Sequence, residues 1–119
     1  MTQPPLIDRA VLDDLFENIG TEGTRVVLEL FIGESGNYLA TINGAAAATA
    51  DAAQRERARR AAHSLKSGAG QIGAAAVAAA ADAVERAAGD NAPDLAQAVV
   101  ALERCTQATV KALSPFLGR

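Results

Sequence analysis

The stretch Arg59–Ala74, RRAAHSLKSGAGQIGA, decides how the rest of the chain is read. It holds the single histidine of the protein, His63, with Lys66 three residues on and small residues at Ser67, Gly68 and Gly70. At 3.6 residues per turn, Ala58, Ala61, Ala62, Leu65, Ala69 and Ile72 fall on one apolar stripe. The same arithmetic turns His63 roughly 140° away from the middle of that stripe, toward solvent. Positions three, four and seven apart share a helix face, so Glu56, Arg59, Arg60, Lys66, Ser67 and Gly70 are its exposed neighbours. A glycine inside a helix costs about 1 kcal/mol against alanine. Small residues on an exposed face do nothing for packing, so they read as room for a partner to approach the imidazole.

Outward from this stretch, the periodicity predicts helices throughout. A short helix is expected from about Asp8 to Ile19, with Val11, Leu12, Leu15, Phe16 and Ile19 inward and Gly20 as its cap. A long one follows from Thr21–Thr24 to about Ala48 on Val27, Leu28, Phe31, Ile32, Leu39 and Ile42, with a kink or fray expected at Gly33 and Gly36. Asp51 is placed as an N-cap, with Gln54 completing a capping box. The histidine helix is expected to end near Ala69, with Gly70 and Gly73 bracketing a turn. The next helix runs from about Gly73 to Ala88, with Val77, Ala80, Ala81, Val84 and Ala87 inward. Pro93 suits the first turn of a last helix carrying Leu95, Val99, Leu102, Thr106, Thr109 and Leu113. Phe116 and Leu117 are expected to fold back on it. The fold expected is all-α: an antiparallel four-helix bundle with a short additional N-terminal helix across one end.

Length and composition agree with one domain over 1–119, irregular at 1–6 and ending in a tail at 116–119. Half of the 119 residues are apolar, and only 3% are aromatic. Alanine, the best helix former, dominates the apolar set. The formal charge of −3 gives no basic footprint for nucleic acid. Glu56 interrupts the basic run Arg55, Arg57, Arg59 and Arg60, which lacks aromatics for base stacking and reads as a solvated face. Cys105 has no internal disulfide partner, which suits a small hydrophobe in a reducing compartment. With no signal-peptide pattern and no charge-free run of 18 apolar residues, no membrane role and a cytoplasmic location are expected. A stand-alone module is expected from the methionine start and the end just past the last helix, and a monomer, since nothing in the sequence requires a dimer.

The run His63–Ala74 resembles the signature of histidine-containing phosphotransfer (HPt) domains, roughly His-x-Leu-Lys-Gly-Ser-x-x-x-Ile/Leu-Gly-Ala. His63, Leu65, Lys66, Ile72, Gly73 and Ala74 agree with it. The chain departs from it at Ser67-Gly68, where the family carries Gly-Ser. Serine is still small, so close approach survives beside a slightly less open backbone. More weakly, Phe31-Ile32 before Leu39 resembles the family's second helix, and Ala83-Val84-Glu85 with Gly89-Asp90 its post-histidine hairpin.

A neutral imidazole is a good nucleophile near pH 7, its unperturbed pKa being about 6.5. Attack on a phosphoryl group gives a phosphoramidate and adds close to two negative charges. Lys66 on the same face offsets part of that, by roughly 1 kcal/mol at a screened surface, and Arg59 or Arg60 adds to it. No carboxylate cluster beside His63 suggests a metal site, and one histidine without companion ligands makes none. Gly68, Gly70 and Gly73 have G-x-G-x-x-G spacing but follow a helix, so the dinucleotide reading fails its context. Without a nucleotide site, the chain is not expected to phosphorylate itself from ATP and has to borrow its phosphoryl donor.

The resemblance implies the rest. An aspartyl-phosphorylated receiver domain, or a hybrid histidine kinase, passes its phosphoryl group to His63, which passes it to a second receiver. The chain is then a phosphocarrier with no cofactor of its own, and Mg²⁺ comes from the receiver. Docking is expected on the exposed histidine face, including Arg59, Arg60, Ser67, Gly68 and Gly70, and on apolar residues of the neighbouring and first helices. Val11, Leu12 and Leu15 are the candidates on the first helix. Two other functions fit the sequence: the phosphoacceptor domain of a chemotaxis-type histidine kinase, and a helical module that docks on receivers or kinases without carrying phosphate.

Overall fold

Asp8 ends the irregular start by turning its side chain onto the next backbone amides. It accepts from Ala10 N at 3.1 Å and Val11 N at 3.4 Å, which starts α1, Arg9–Asn43. The computed structural model describes residues 3–47 and 49–118 and continues with α2 (Ala52–Ile72), α3 (Ala75–Asp90) and α4 (Leu95–Leu113). A 3₁₀ turn, Ser114–Leu117, closes the chain. Met1 and Thr2 of the expected irregular start, Ala48 at the expected end of the second helix and Arg119 of the expected tail lie outside the described residues.

The four helices pack as a bundle, α1 on α2, α2 on α3, α3 on α4 and α4 back on α1. The expected short first helix and long second one are two limbs of α1, separated at Gly20 (φ 77, ψ 178). Only glycine takes that positive φ without strain. No kink occurs at Gly33 or Gly36; Gly20 is the sole non-helical position within α1. The second limb stops at Asn43, short of the expected end, and Gly44 follows it still right-handed (φ −60, ψ −28), its N–H donating to Thr41 O at 3.2 Å.

The buried face of α2 is Ala58, Ala61, Ala62, Leu65, Ala69 and Ile72, the stripe that helical spacing predicts. α4 likewise buries Leu95, Val99, Leu102, Thr106, Thr109 and Leu113. In α3, Val77, Ala81, Val84 and Ala87 are buried as expected, while Ala80 is half-buried and Ala88 joins the core. α1 fits least well. Thr24 and Ser35 are buried, Ser35 Oγ bonding to Ile32 O at 2.8 Å, whereas Ile19 lies 45% exposed over Gly23. The capping box forms as predicted, Asp51 and Gln54 exchanging two bonds of 2.8 Å. Pro93 sits just before the last helix, outside its first turn.

α2 runs a turn past its expected end, because Gly70 stays helical and Gly73 is the terminator (φ 83, ψ 17). Ala74 N bonds back to Ala69 O at 2.9 Å, the six-to-one bond of a Schellman cap. The first limb of α1 seats on this turn. Asp8 N donates to Gly73 O at 2.6 Å, and Ala76 N to Pro5 O at 3.0 Å. At the other end, Leu117 is buried and the Phe116 ring lies 6.2 Å from that of Phe16, so the expected tail folds back as an ordered turn.

Two glycines three residues apart in the signature, Gly70 and Gly73, therefore have opposite structural roles. A Cβ on Gly73 meets Asp8 O at 2.7 Å and Val11 Cβ at 3.1 Å, while one on Gly70 meets nothing within 4 Å. Gly73→Ala should cost at least about 2 kcal/mol, adding left-handed strain to the clash. Gly70→Ala should gain about 1 kcal/mol from helix propensity. Urea unfolding of both variants checks this, with shifts of opposite sign expected in the midpoint.

Candidate functional site

Two antiparallel helices joined at a tight turn face each other in fixed register. Going three residues along α2 from His63 to Lys66 is matched by going three back along α3 from Glu85 to Asp82. Going four back to Arg59 is matched by four forward to Gly89. The contacts follow that register. His63 Nδ1 lies 2.9 Å from Glu85 Oε2, and Lys66 Nζ lies 3.2 Å from Asp82 Oδ1. Arg59 Cδ is 3.5 Å from where a Cβ on Gly89 would stand.

Glu85 joins the pair together. Its second oxygen, Oε1, takes Lys66 Nζ at 2.7 Å, and its side chain is only 18% exposed. Asp82 in turn holds Arg86 Nε at 3.1 Å through its other oxygen. The Lys66 ammonium, and to a smaller degree the His63 contact, hold the Glu85 carboxyl below its ordinary value against the opposing effect of burial. Lys66 is raised in return, first by Glu85 and then by Asp82.

An ionised carboxylate only accepts hydrogen bonds. The 2.9 Å contact therefore requires Nδ1 to carry the hydrogen, and in the neutral ring the lone pair sits on Nε2. His63 is 62% exposed, and no described residue bonds to Nε2. The chain thus presents one oriented, unprotonated ring nitrogen to solvent.

The other predicted site residues sort unevenly around it. Lys66 lies beside His63 as expected, but its charge is already engaged by two carboxylates. Arg59 and Arg60 point back to Glu56, Arg59 through contacts of 2.8 and 2.6 Å and Arg60 at 3.2 Å. Those two guanidiniums, Arg59 foremost, lower the Glu56 carboxyl to about 2. Ser67 and Gly70 are exposed, whereas Gly68 is half-buried with its open side toward Phe31, not toward the imidazole.

α3 also brings beside His63 and Lys66 two carboxylates that the sequence reading did not place there, Glu85 and Asp82. Of the first-helix docking candidates, Leu12 is fully buried and so unavailable, whereas Val11, packed at Gly73, and Leu15, against the core, are half-buried. The exposed large apolar side chains on the second limb of α1 are Val26 and, one turn on, Leu30. Leu30 borders a groove of about 260 Å³ between α1 and α2, where Phe31 and Tyr38 face Ser64 and Gly68.

The Hpt-domain family model matches residues 26–114, most of the chain and all of the site. The chain belongs to the Hpt-domain family. Its fold is similar to the crystal structure of histidine-containing phosphotransfer protein B (HptB) from Pseudomonas aeruginosa PAO1, with a TM-score of 0.84 and 25% identity over 97% of this chain and 96% of that one. No curated protein matches the chain. Hpt domains are phosphocarriers of phosphorelays, working with receiver domains and kinases. Among the described residues of this Hpt domain, no helix is long and apolar enough to cross a membrane.

Glu85 also gives the site a pH signature. Its folded pKa lies below the ordinary glutamate value, so the stability it contributes is complete above that value. That stability is lost as pH falls through the lower folded value. Glu85→Gln should be less stable than the parent at pH 7, with the difference narrowing as pH drops below about 4. Denaturant unfolding at pH 7, 5 and 3 reads this directly.

Proposed function

We propose that His63 accepts a phosphoryl group on Nε2 from the aspartyl phosphate of a receiver domain and passes it to the aspartate of a second one. The observation that carries this reading is the exposed imidazole whose Nδ1 is tied to Glu85, which leaves Nε2 as the nucleophile. In the forward step the Nε2 lone pair attacks phosphorus, and the P–O bond to the aspartate breaks. The carboxylate leaves with the bonding pair. His63 becomes an imidazolium, whose Nδ1–H remains on the Glu85 carboxylate. The reverse step restores the neutral ring as the next carboxylate takes the phosphoryl group.

Such transfer rests on positioning and electrostatics more than on covalent chemistry. Among the described residues no group of three His, Cys, Asp or Glu side chains gathers as metal ligands. In this reading the receiver would bring Mg²⁺, and the chain acts as a carrier instead of an enzyme. Val26, Leu30 and the groove beside Ser64 and Gly68 form the apolar part of the docking face, with Ser67 and Gly70 leaving the approach to the ring low.

Incubation with a phosphorylated receiver should give acid-labile, alkali-stable label on the protein. His63→Gln should abolish it with helicity and receiver binding unchanged. Label surviving in that variant would remove His63 from the role, and binding without label in the parent would favour a docking module. Glu85→Ala should retain the label but acquire it more slowly by about tenfold or more, the usual scale for losing a partner that orients an imidazole.

A further inference from the structure

Lys66 shares the Glu85 carboxylate with His63, and it is held by two carboxylates of α3 at 2.7 and 3.2 Å. Glu85 has a second task, orienting the imidazole through its other oxygen. Asp82 has none toward His63. Its contacts are to Lys66 and to Arg86, itself 77% exposed. A phosphoryl group on Nε2 would bring about two negative charges within reach of Lys66. It would have to compete with Asp82 for the same ammonium.

Resting on the phosphoacceptor reading above, we infer that Asp82 is a positioning residue that sets how strongly His63 retains phosphate, by holding Lys66 on α3 until the phosphoryl group draws it away. The contact is half-exposed at both ends, with side-chain exposures of 33% and 34%, so exchange between the two partners needs no opening of the bundle. Removing the Asp82 charge leaves Lys66 with Glu85 Oε1 as its one carboxylate partner, so a phosphoryl group competes with one carboxylate fewer, and the Glu85–His63 bond is untouched. The phosphorylated state gains, and the unphosphorylated one keeps its nucleophile.

The test uses N-phosphoimidazole as donor and follows both species by ³¹P NMR. Nε2 attacks phosphorus of the ring-protonated donor, its P–N bond breaks, and neutral imidazole leaves. The product is phospho-His63 with Nδ1–H still on Glu85. One P–N bond replaces another, so the equilibrium ratio reports the surroundings of His63. Asp82→Asn should raise the phosphorylated fraction's equilibrium constant by about three- to fivefold, the scale of a screened ion pair. Asp82→Glu, which restores the charge, should return it toward the parent. In a Lys66→Met background Asp82→Asn should produce no shift.

A parent that labels normally with an unmoved constant in Asp82→Asn overturns this inference alone. So does an Asp82→Asn shift that persists undiminished without Lys66. A parent that takes no label at His63 overturns both this inference and the reading beneath it.

Discussion

One carboxylate, Glu85, is caught between an imidazole and an ammonium on the facing helix. Its two oxygens lie 2.9 Å from His63 Nδ1 and 2.7 Å from Lys66 Nζ. That arrangement fixes which ring nitrogen holds the proton and how much free positive charge remains nearby. A bare surface histidine can carry its hydrogen on either nitrogen, and its ring turns freely. Here the second helix of the pair supplies the constraint, and solvent access to Nε2 is kept.

The constraint depends on register, and register depends on the α2–α3 turn. Gly73 in left-handed conformation stops α2 where α3 can reverse with no intervening loop. The first limb of α1 then locks the turn through the Asp8 amide and the Pro5 carbonyl. The end of the family signature, Ile72-Gly73-Ala74, is thus structural, since Ile72 and Ala74 are buried and Gly73 makes the reversal. The start of the signature, His63 and Lys66, presents chemistry. One continuous motif joins the two because chemistry at its head is positioned by geometry at its tail.

Much of this was legible in the sequence. Strict helical spacing identified every buried residue of α2 and α4, and the Asp51–Gln54 capping box was visible as a local pattern. Exposure of His63 followed from the same wheel. Glu85 and Asp82 were not found because no local pattern marks them; they look like ordinary solvated charges on an alanine-rich helix. Counting away from Gly73 in both directions would have paired them with His63 and Lys66, but only with Gly73 known as the turn and Gly70 as helical. Leu12 was offered for docking although it is fully buried, because an amphipathic stripe alone does not say which neighbour covers it. Gly20 bends the chain so that this stripe closes the bundle end, while Val26 and Leu30 stay open.

Electrostatically, the site is quieter than its sequence suggests. Lys66, Arg59, Arg60 and Arg86 all have carboxylate partners within the domain, so the positive charge around His63 is already balanced. The orientation of the imidazole is what distinguishes His63 from a solvated side chain. Nitrogen-15 NMR of the histidine ring at a pH where it is neutral measures this most directly. The account predicts the Nδ1–H form as the dominant tautomer, with that preference lost in Glu85→Ala. A dominant Nε2–H tautomer in the parent, or a preference indifferent to Glu85, would contradict it.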